Sequence, residues 1–188
     1  MRWRQASLEN DATELKKRFD NELAATLPDG VVAHIDHFIG IDQPDVNLLA
    51  IVRLTGSLGI ASARRLLVPG YFFETHGSVP FVNEEKRLEP VDMHFGDRVT
   101  EQMTFHLPAR MTVEGAPTDT SISWPGRAEF MTKSATQPGE ITLTHVLSRA
   151  FTFAKPEEYQ DLRGFYQKVA AADQAQLVLT IAPAGKSN

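Results

Sequence analysis

The sequence predicts a mainly β (α+β) protein, an antiparallel β-sandwich with an N-terminal helix and a C-terminal helix packed on it. Three observations lead there. Short apolar segments recur between Gly, Pro and Asp punctuation, helical periodicity is confined to the two ends of the chain, and the regular strand–helix alternation of a parallel α/β fold is absent. At 188 residues and 42% hydrophobic content the chain can bury one sizeable core. Residues 1–75, a helix and the first strands, read as continuous with a sandwich core and terminal helix over 76–188, so 1–188 is treated as one domain.

The first helix is signalled by Asp11 with Glu14 three residues on, a capping-box spacing, and by Leu8, Ala12, Leu15, Phe19, Leu23 and Leu27 at helical intervals. PDG at Pro28–Gly30 ends it, and the period changes to two in VVAHIDHFIGI. In VNLLAIVRLTG, Val46, Leu48, Ala50, Val52 and Leu54 line one face while Leu49 and Ile51 make the other apolar, as expected of a strand covered on both sides. SARRLLVP, PTDTSISWPGRAEF and ITLTHVLSRAFTF supply further strands. KPEEY starts the second helix, with Pro156 in the first turn and Tyr159, Leu162, Phe165, Tyr166 and Val169 as its apolar stripe. QLVLTIA reads as a last strand and PAGKSN as a frayed tail.

The stretch RLEPVDMHFGDRVTEQMTFHLP, Arg87–Pro108, crowds charged groups among apolar ones. Read as a hairpin, it pairs Phe95 with Val99 around Gly96–Arg98. That register sets His94 opposite Thr100 and His106 opposite Leu88, about 20 Å apart at roughly 3.4 Å per residue. Glu89 falls opposite Phe105 and Glu101 opposite Met93, roughly 13 Å apart, beyond the spacing of paired glycosidase carboxylates. Neither glutamate is explained by the apolar stripe it interrupts.

Composition excludes several chemistries. With no cysteine there is no disulfide, no thiolate ligand and no cysteine nucleophile in this chain. A net charge of -5 disfavours nucleic acid and anionic membrane as partners. No apolar run approaches the roughly 20 residues of a membrane span, and the start lacks the apolar segment of a secretory signal; MRWRQASLEN reads like neither a targeting peptide nor a natural domain edge, which fits a mature piece or an excised fragment. No GxSxG elbow, SxxK element, Walker lysine or dinucleotide glycine pattern occurs; GSLG at Gly56–Gly59 meets no helix.

HIDH is the most metal-like cluster, yet a regular strand sends His34 and Asp36 to one side and His37 to the other, with Val31, Ala33 and Ile35. A metal site from Asp36, His37, His76 or His94 would need partners from elsewhere. His145, in the stripe Ile141, Leu143, Leu147, reads as a core histidine. The expectation is therefore no enzyme, no cofactor and no metal. The alternative is a glycan- or peptide-binding module using Trp124, Tyr71, Phe72 and Phe73 as an aromatic platform.

RLEPVDMHF, DRVTEQMTFHLPARMTVEGAP, ITLTHVLSRAFTF and PEEYQDLRGFYQKVAAADQAQLVL together resemble the C-terminal β-domain of bacterial exported proteins that contain a transglutaminase-like domain. LPDGVVAHIDHF and VNLLAIVRLTG resemble the entry to that domain. Arg87, Pro90 and Val91 match its arginine and proline-valine entry, Leu107 and Pro108 its leucine-proline exit, and Arg149, Tyr159, Leu162, Phe165, Ala172 and Asp173 its later strand and helix. Those proteins carry an N-terminal β-domain of unknown function, a papain-like central domain with a cysteine, histidine and aspartate triad, and the C-terminal β-domain. The triad does not carry over to a chain without cysteine. The resemblance implies a non-catalytic structural or interaction domain, periplasmic or extracellular, whose partners are adjacent domains of its parent or another protein.

Overall fold

The computed structural model describes residues 2–27, 29–62, 64–70 and 80–182. The chain divides into two compact units, Met1–Leu58 and Gly59–Asn188, where the sequence reading has a single domain.

In the first unit the opening helical pattern is two helices, α1 (Arg2–Glu9) and α2 (Ala12–Ala24). Asp11 is the cause of the second start: its carboxylate accepts from the backbone N–H of Thr13 at 2.8 Å and of Glu14 at 2.9 Å, satisfying two donors that have no intrahelical partner. The break takes Leu8 off the expected stripe, leaving it 87% exposed, while Leu15 is buried. Trp3, Phe19 and Phe38 form an aromatic cluster, with Phe19 and Phe38 edge to face at 5.2 Å.

Strands β1 (Val31–Ile39) and β2 (Leu49–Gly56) pair antiparallel, with a shift in register between Ile35 and His37. Asp36 is the extra residue of a β-bulge, and it changes which side chains face inward. Val31, Ala33 and Ile35 are buried as expected, but after the bulge Phe38 takes the inward position and His37 is exposed. This corrects the placing of His37 on the Val31–Ile35 face. β2 is also less covered than its sequence suggests, because Leu49 and Ile51 stay 52% and 42% exposed.

The second unit holds β3 (Ile60–Ser62), β4 (Arg65–Pro69), β5 (Val91–Asp92), β6 (Asp97–His106), β7 (Met111–Gly115), β8 (Thr120–Trp124), β9 (Ala128–Gln137), β10 (Glu140–Arg149), β11 (Phe153–Ala154), a 3-10 turn at Pro156–Glu158, α3 (Tyr159–Asp173) and β12 (Gln176–Ile181). These make an antiparallel sheet of order β6-β10-β9-β8, a second of order β3-β4-β12-β7, and the short pair β11-β5. The mainly β, antiparallel architecture read from the sequence is the one observed.

The Arg87–Pro108 stretch is not a hairpin. β5 pairs with β11, Val91 opposite Ala154, and β6 pairs with β10, Phe105 opposite Ile141 and Val99 opposite Leu147. The link between β5 and β6 turns at His94, whose φ of 63° is in the left-handed region; Asp92 accepts from the His94 N–H at 2.7 Å and steadies the turn. Glu89 lies before β5, exposed and outside any strand. Its place in an apolar stripe was a product of the assumed register.

α3 is introduced by Glu158, whose carboxylate accepts from the Lys155 N–H at 2.9 Å. All five stripe residues, Tyr159, Leu162, Phe165, Tyr166 and Val169, are buried. They pack with Trp124, Phe130, Leu147 and Phe151 in one apolar cluster. At the start of this unit Gly59 has φ +96°, and a Cβ there would meet the Leu67 carbonyl oxygen at 2.0 Å. Gly59→Ala is expected to lower the thermal midpoint clearly, through both strain and the forced opening of the β3–β4 hairpin. A melting curve superimposable on that of the parent would refute this.

Candidate functional site

The chemistry-bearing residues of the second unit gather on one face of the β6-β10-β9-β8 sheet. Alternation along β10 puts Ile141, Leu143, His145, Leu147 and Arg149 on the same side. Opposite His145 lie Glu101 of β6 and Thr132 of β9, and opposite Arg149 lies Asp97 of β6. Two acid–base rungs thus cross from β6 to β10, four residues apart.

Each rung is met by α3. His145 Nδ1 is 4.0 Å from Glu101 Oε2, and its Nε2 is 3.8 Å from Asp173 Oδ1. Arg149 forms a two-pronged ion pair with Asp97 and donates to the Tyr166 hydroxyl at 3.4 Å. The hydrogen bonds to Asp97 hold the Arg149 guanidinium above even its usual range. Tyr166 and Asp173 are seven residues apart, about 10 Å along a helix, and the rungs about 13 Å apart along the strands. The two spacings fit because α3 lies across this face.

Burial decides what this array can do. His145 is 1% exposed and Glu101 6%, with the Phe130 ring 4.8 Å from the imidazole. Side chains so enclosed can hold protons and orient one another but cannot meet a substrate. Sequence reasoning identified His145 as a core histidine and left Glu101 unexplained. The missing signal was the partner strand, since Glu101 and His145 are 44 positions apart. β6 is also an edge strand, and an inward charge weakens its capacity to pair with another chain.

Of the proposed aromatic platform, Trp124 is only 9% exposed and packs edge to face on Phe151 at 5.1 Å. Its ring is used in the core, which removes it as a stacking surface. Tyr71, Phe72 and Phe73 lie outside the described residues, as does His76. Among the described residues no group of three His, Cys, Asp or Glu side chains could hold a metal ion. His94 stands near Asp92 at 3.5 Å and His34 near Asp20 at 3.5 Å, both largely exposed. Asp36 is the extra residue of the bulge and His37 follows it, both exposed.

One surface pair has a pH signature. The Glu158 carboxyl is held below the usual carboxylate range, first by the Lys155 N–H and then by the Arg127 guanidinium. A depressed pKa in the folded state contributes stability above the ordinary carboxylate range, and that stability is lost as pH falls through the folded value. Glu158→Gln is therefore expected to lower stability at neutral pH and to flatten its acid dependence below about pH 4. Urea midpoints measured from pH 7 to pH 3 check this; parallel curves for the two proteins would refute it.

A helix-capped antiparallel β-domain whose buried polar groups join strand to helix is the class that this fold and site define. Residues 64–179, more than half of the chain, match the family described as a Domain of Unknown Function with solved-structure structure, DUF3858, and the chain belongs to that family. No curated protein matches it. A crystal structure of a "putative protease" from Parabacteroides distasonis superposes with a TM-score of 0.52 at 15% sequence identity, over 64% of this chain and 24% of that one. That likeness is one of fold, and this chain spans about a quarter of the other protein's length.

Proposed function

We propose that this chain is a non-catalytic structural and interaction β-domain of a larger, exported, transglutaminase-like protein. The observation that carries the reading is the family match over 64–179 together with a likeness of fold that covers 24% of a longer solved protein. Two features support it. The chain has no cysteine to act as a papain-like nucleophile, and the His145, Glu101 and Asp173 side chains of the sheet face are enclosed. In this reading the partners are neighbouring domains, and the compartment is periplasmic or extracellular.

Two measurements test it. The purified full chain should release no product above buffer from a casein or glutamine–amine crosslinking substrate. Turnover abolished by a single substitution such as His106→Ala would overturn the reading. The complete open reading frame should encode a signal sequence and an upstream Cys-His-Asp domain; a frame lacking both would remove the exported transglutaminase context.

A further inference from the structure

The two-stranded sheet of the first unit has edges of opposite character. At the β1 edge the Ile35 N–H donates to Asp20 Oδ1 at 2.7 Å and the Asp36 carbonyl accepts from Lys16, so α2 and the bulge close it. Bulges, charges and covers of this kind keep an edge from pairing with another chain. β2 has none of them. Its sequence LAIVRLTG holds no proline, no lysine and no acid, its side of the ladder has no extra residue, and Arg53 is its one charge.

The Ile35 contact also fixes which groups β2 offers. Ile35 points its N–H away from β2, so Ile35 and Val52, which lie opposite, are a non-hydrogen-bonded pair and Val52 points its polar groups away from β1. Backbone direction alternates along a strand, so Ala50 and Leu54 do the same. These three present N–H and C=O groups to the outer edge, and among the described residues none of them makes a backbone hydrogen bond there. Leu49 and Ile51, on the outward face beside Ile39 and His37 of β1, are 52% and 42% exposed. A partner for this edge must therefore be apolar on both faces.

We propose that β2 pairs antiparallel with β2 of a second copy, making a four-stranded sheet β1-β2-β2-β1 about a twofold axis at Ile51. A two-stranded sheet is marginal, and three or more strands are the usual stable minimum. β2 meets the demand of its own edge, being apolar on both faces. Backbone direction and charge together select the register. Outward-pointing residues must oppose one another, so the axis falls on a residue. Arg53 on the axis would set two guanidinium groups face to face, and Val52 there would set them diagonally at roughly 7–8 Å. Ile51 on the axis separates them by about 13 Å along the strand, with Arg53 opposite the partner's Leu49 and Ala50 hydrogen-bonded to the partner's Val52. The assembly stops at two copies, because both outer edges of the new sheet are β1 edges, which α2 closes. The pairing does not depend on the exported-domain reading, since β2 precedes the matched residues 64–179.

The test uses the full chain, whose lack of cysteine makes single-cysteine variants specific reporters. Sedimentation should show a monomer–dimer equilibrium and no larger species. Under mild oxidation Ile51→Cys should form a covalent dimer, because opposed residues of a non-hydrogen-bonded pair have Cβ atoms about 4.5–5.5 Å apart. Val32→Cys, on β1 and 51% exposed, and Thr55→Cys, roughly 27 Å from its copy in this register, should stay uncrosslinked. Ala50→Pro removes an N–H that the β1–β2 ladder does not use, so it should keep the circular dichroism spectrum of the parent while weakening the dimer about tenfold or more. Ile51→Lys, at an exposed position, should give the same loss without altering the backbone. A chain that stays monomeric at its highest soluble concentration, equal crosslinking of the three cysteine variants, or a folded Ala50→Pro or Ile51→Lys variant that dimerises as the parent does would each overturn the proposal.

Discussion

His145→Leu is expected to destabilise the second unit by about 1–3 kcal/mol, the cost of leaving buried polar groups facing an apolar side chain. The imidazole lies between Glu101 of β6 and Asp173 at the end of α3. Leucine would leave two enclosed carboxyl groups facing an apolar side chain, and the region would relax by admitting water or by releasing the end of the helix. Urea unfolding followed by far-UV circular dichroism should show a lower midpoint with an unchanged slope. The companion substitution distinguishes polar pairing from packing: Glu101→Met, His145→Leu and Asp173→Val together should recover most of the loss, because replacing all the buried polar partners by apolar groups of similar shape is close to neutral. A single substitution costing under about 1 kcal/mol, or a triple variant no better than the single, would contradict this account.

Leu162→Ala carries the second large effect, about 3 kcal/mol within a usual range of 2–5. Leu162 is 0% exposed in the cluster that joins α3 to the sheet, which also holds Phe130 and Phe165. Truncation loses the transfer energy of the removed methyl groups and leaves a cavity that aromatic neighbours cannot readily fill. Leu162→Met, which conserves volume, should cost less than about 1.5 kcal/mol. Hydrogen exchange should show the loss in the amides of α3 and β10 together. An alanine variant within 1 kcal/mol of the parent would mean that α3 contributes little to the core.

Much of the architecture was legible because periodicity reports which face a residue occupies. The stripe Tyr159, Leu162, Phe165, Tyr166 and Val169 is buried throughout, and Asp11 caps a helix as its spacing with Glu14 implies. Periodicity does not report which strand lies alongside. Val91 and Val99 both occupy inward positions, yet one faces Ala154 and the other Leu147, and the hairpin that would have joined them does not form. The same gap hid Glu101, whose meaning depends on a histidine in a distant strand. His37 was misplaced for a different reason, since a single extra residue changes the alternation and leaves no mark in composition.

The bulge at Asp36 also alters what the chain can lose. In a regular strand, deleting any one residue turns every side chain beyond it to the opposite face. Here Asp36 is already the surplus residue in the ladder, so a chain shortened at that position would keep Val31, Ala33, Ile35 and Phe38 inward and His37 outward. Deleting His34 instead would drive Val32 inward and leave Val31 and Ala33 without consistent partners. Within β1, tolerance to length change is thus concentrated at one position, and a deletion scan of Val31–Ile39 scored by soluble yield would pick out Asp36.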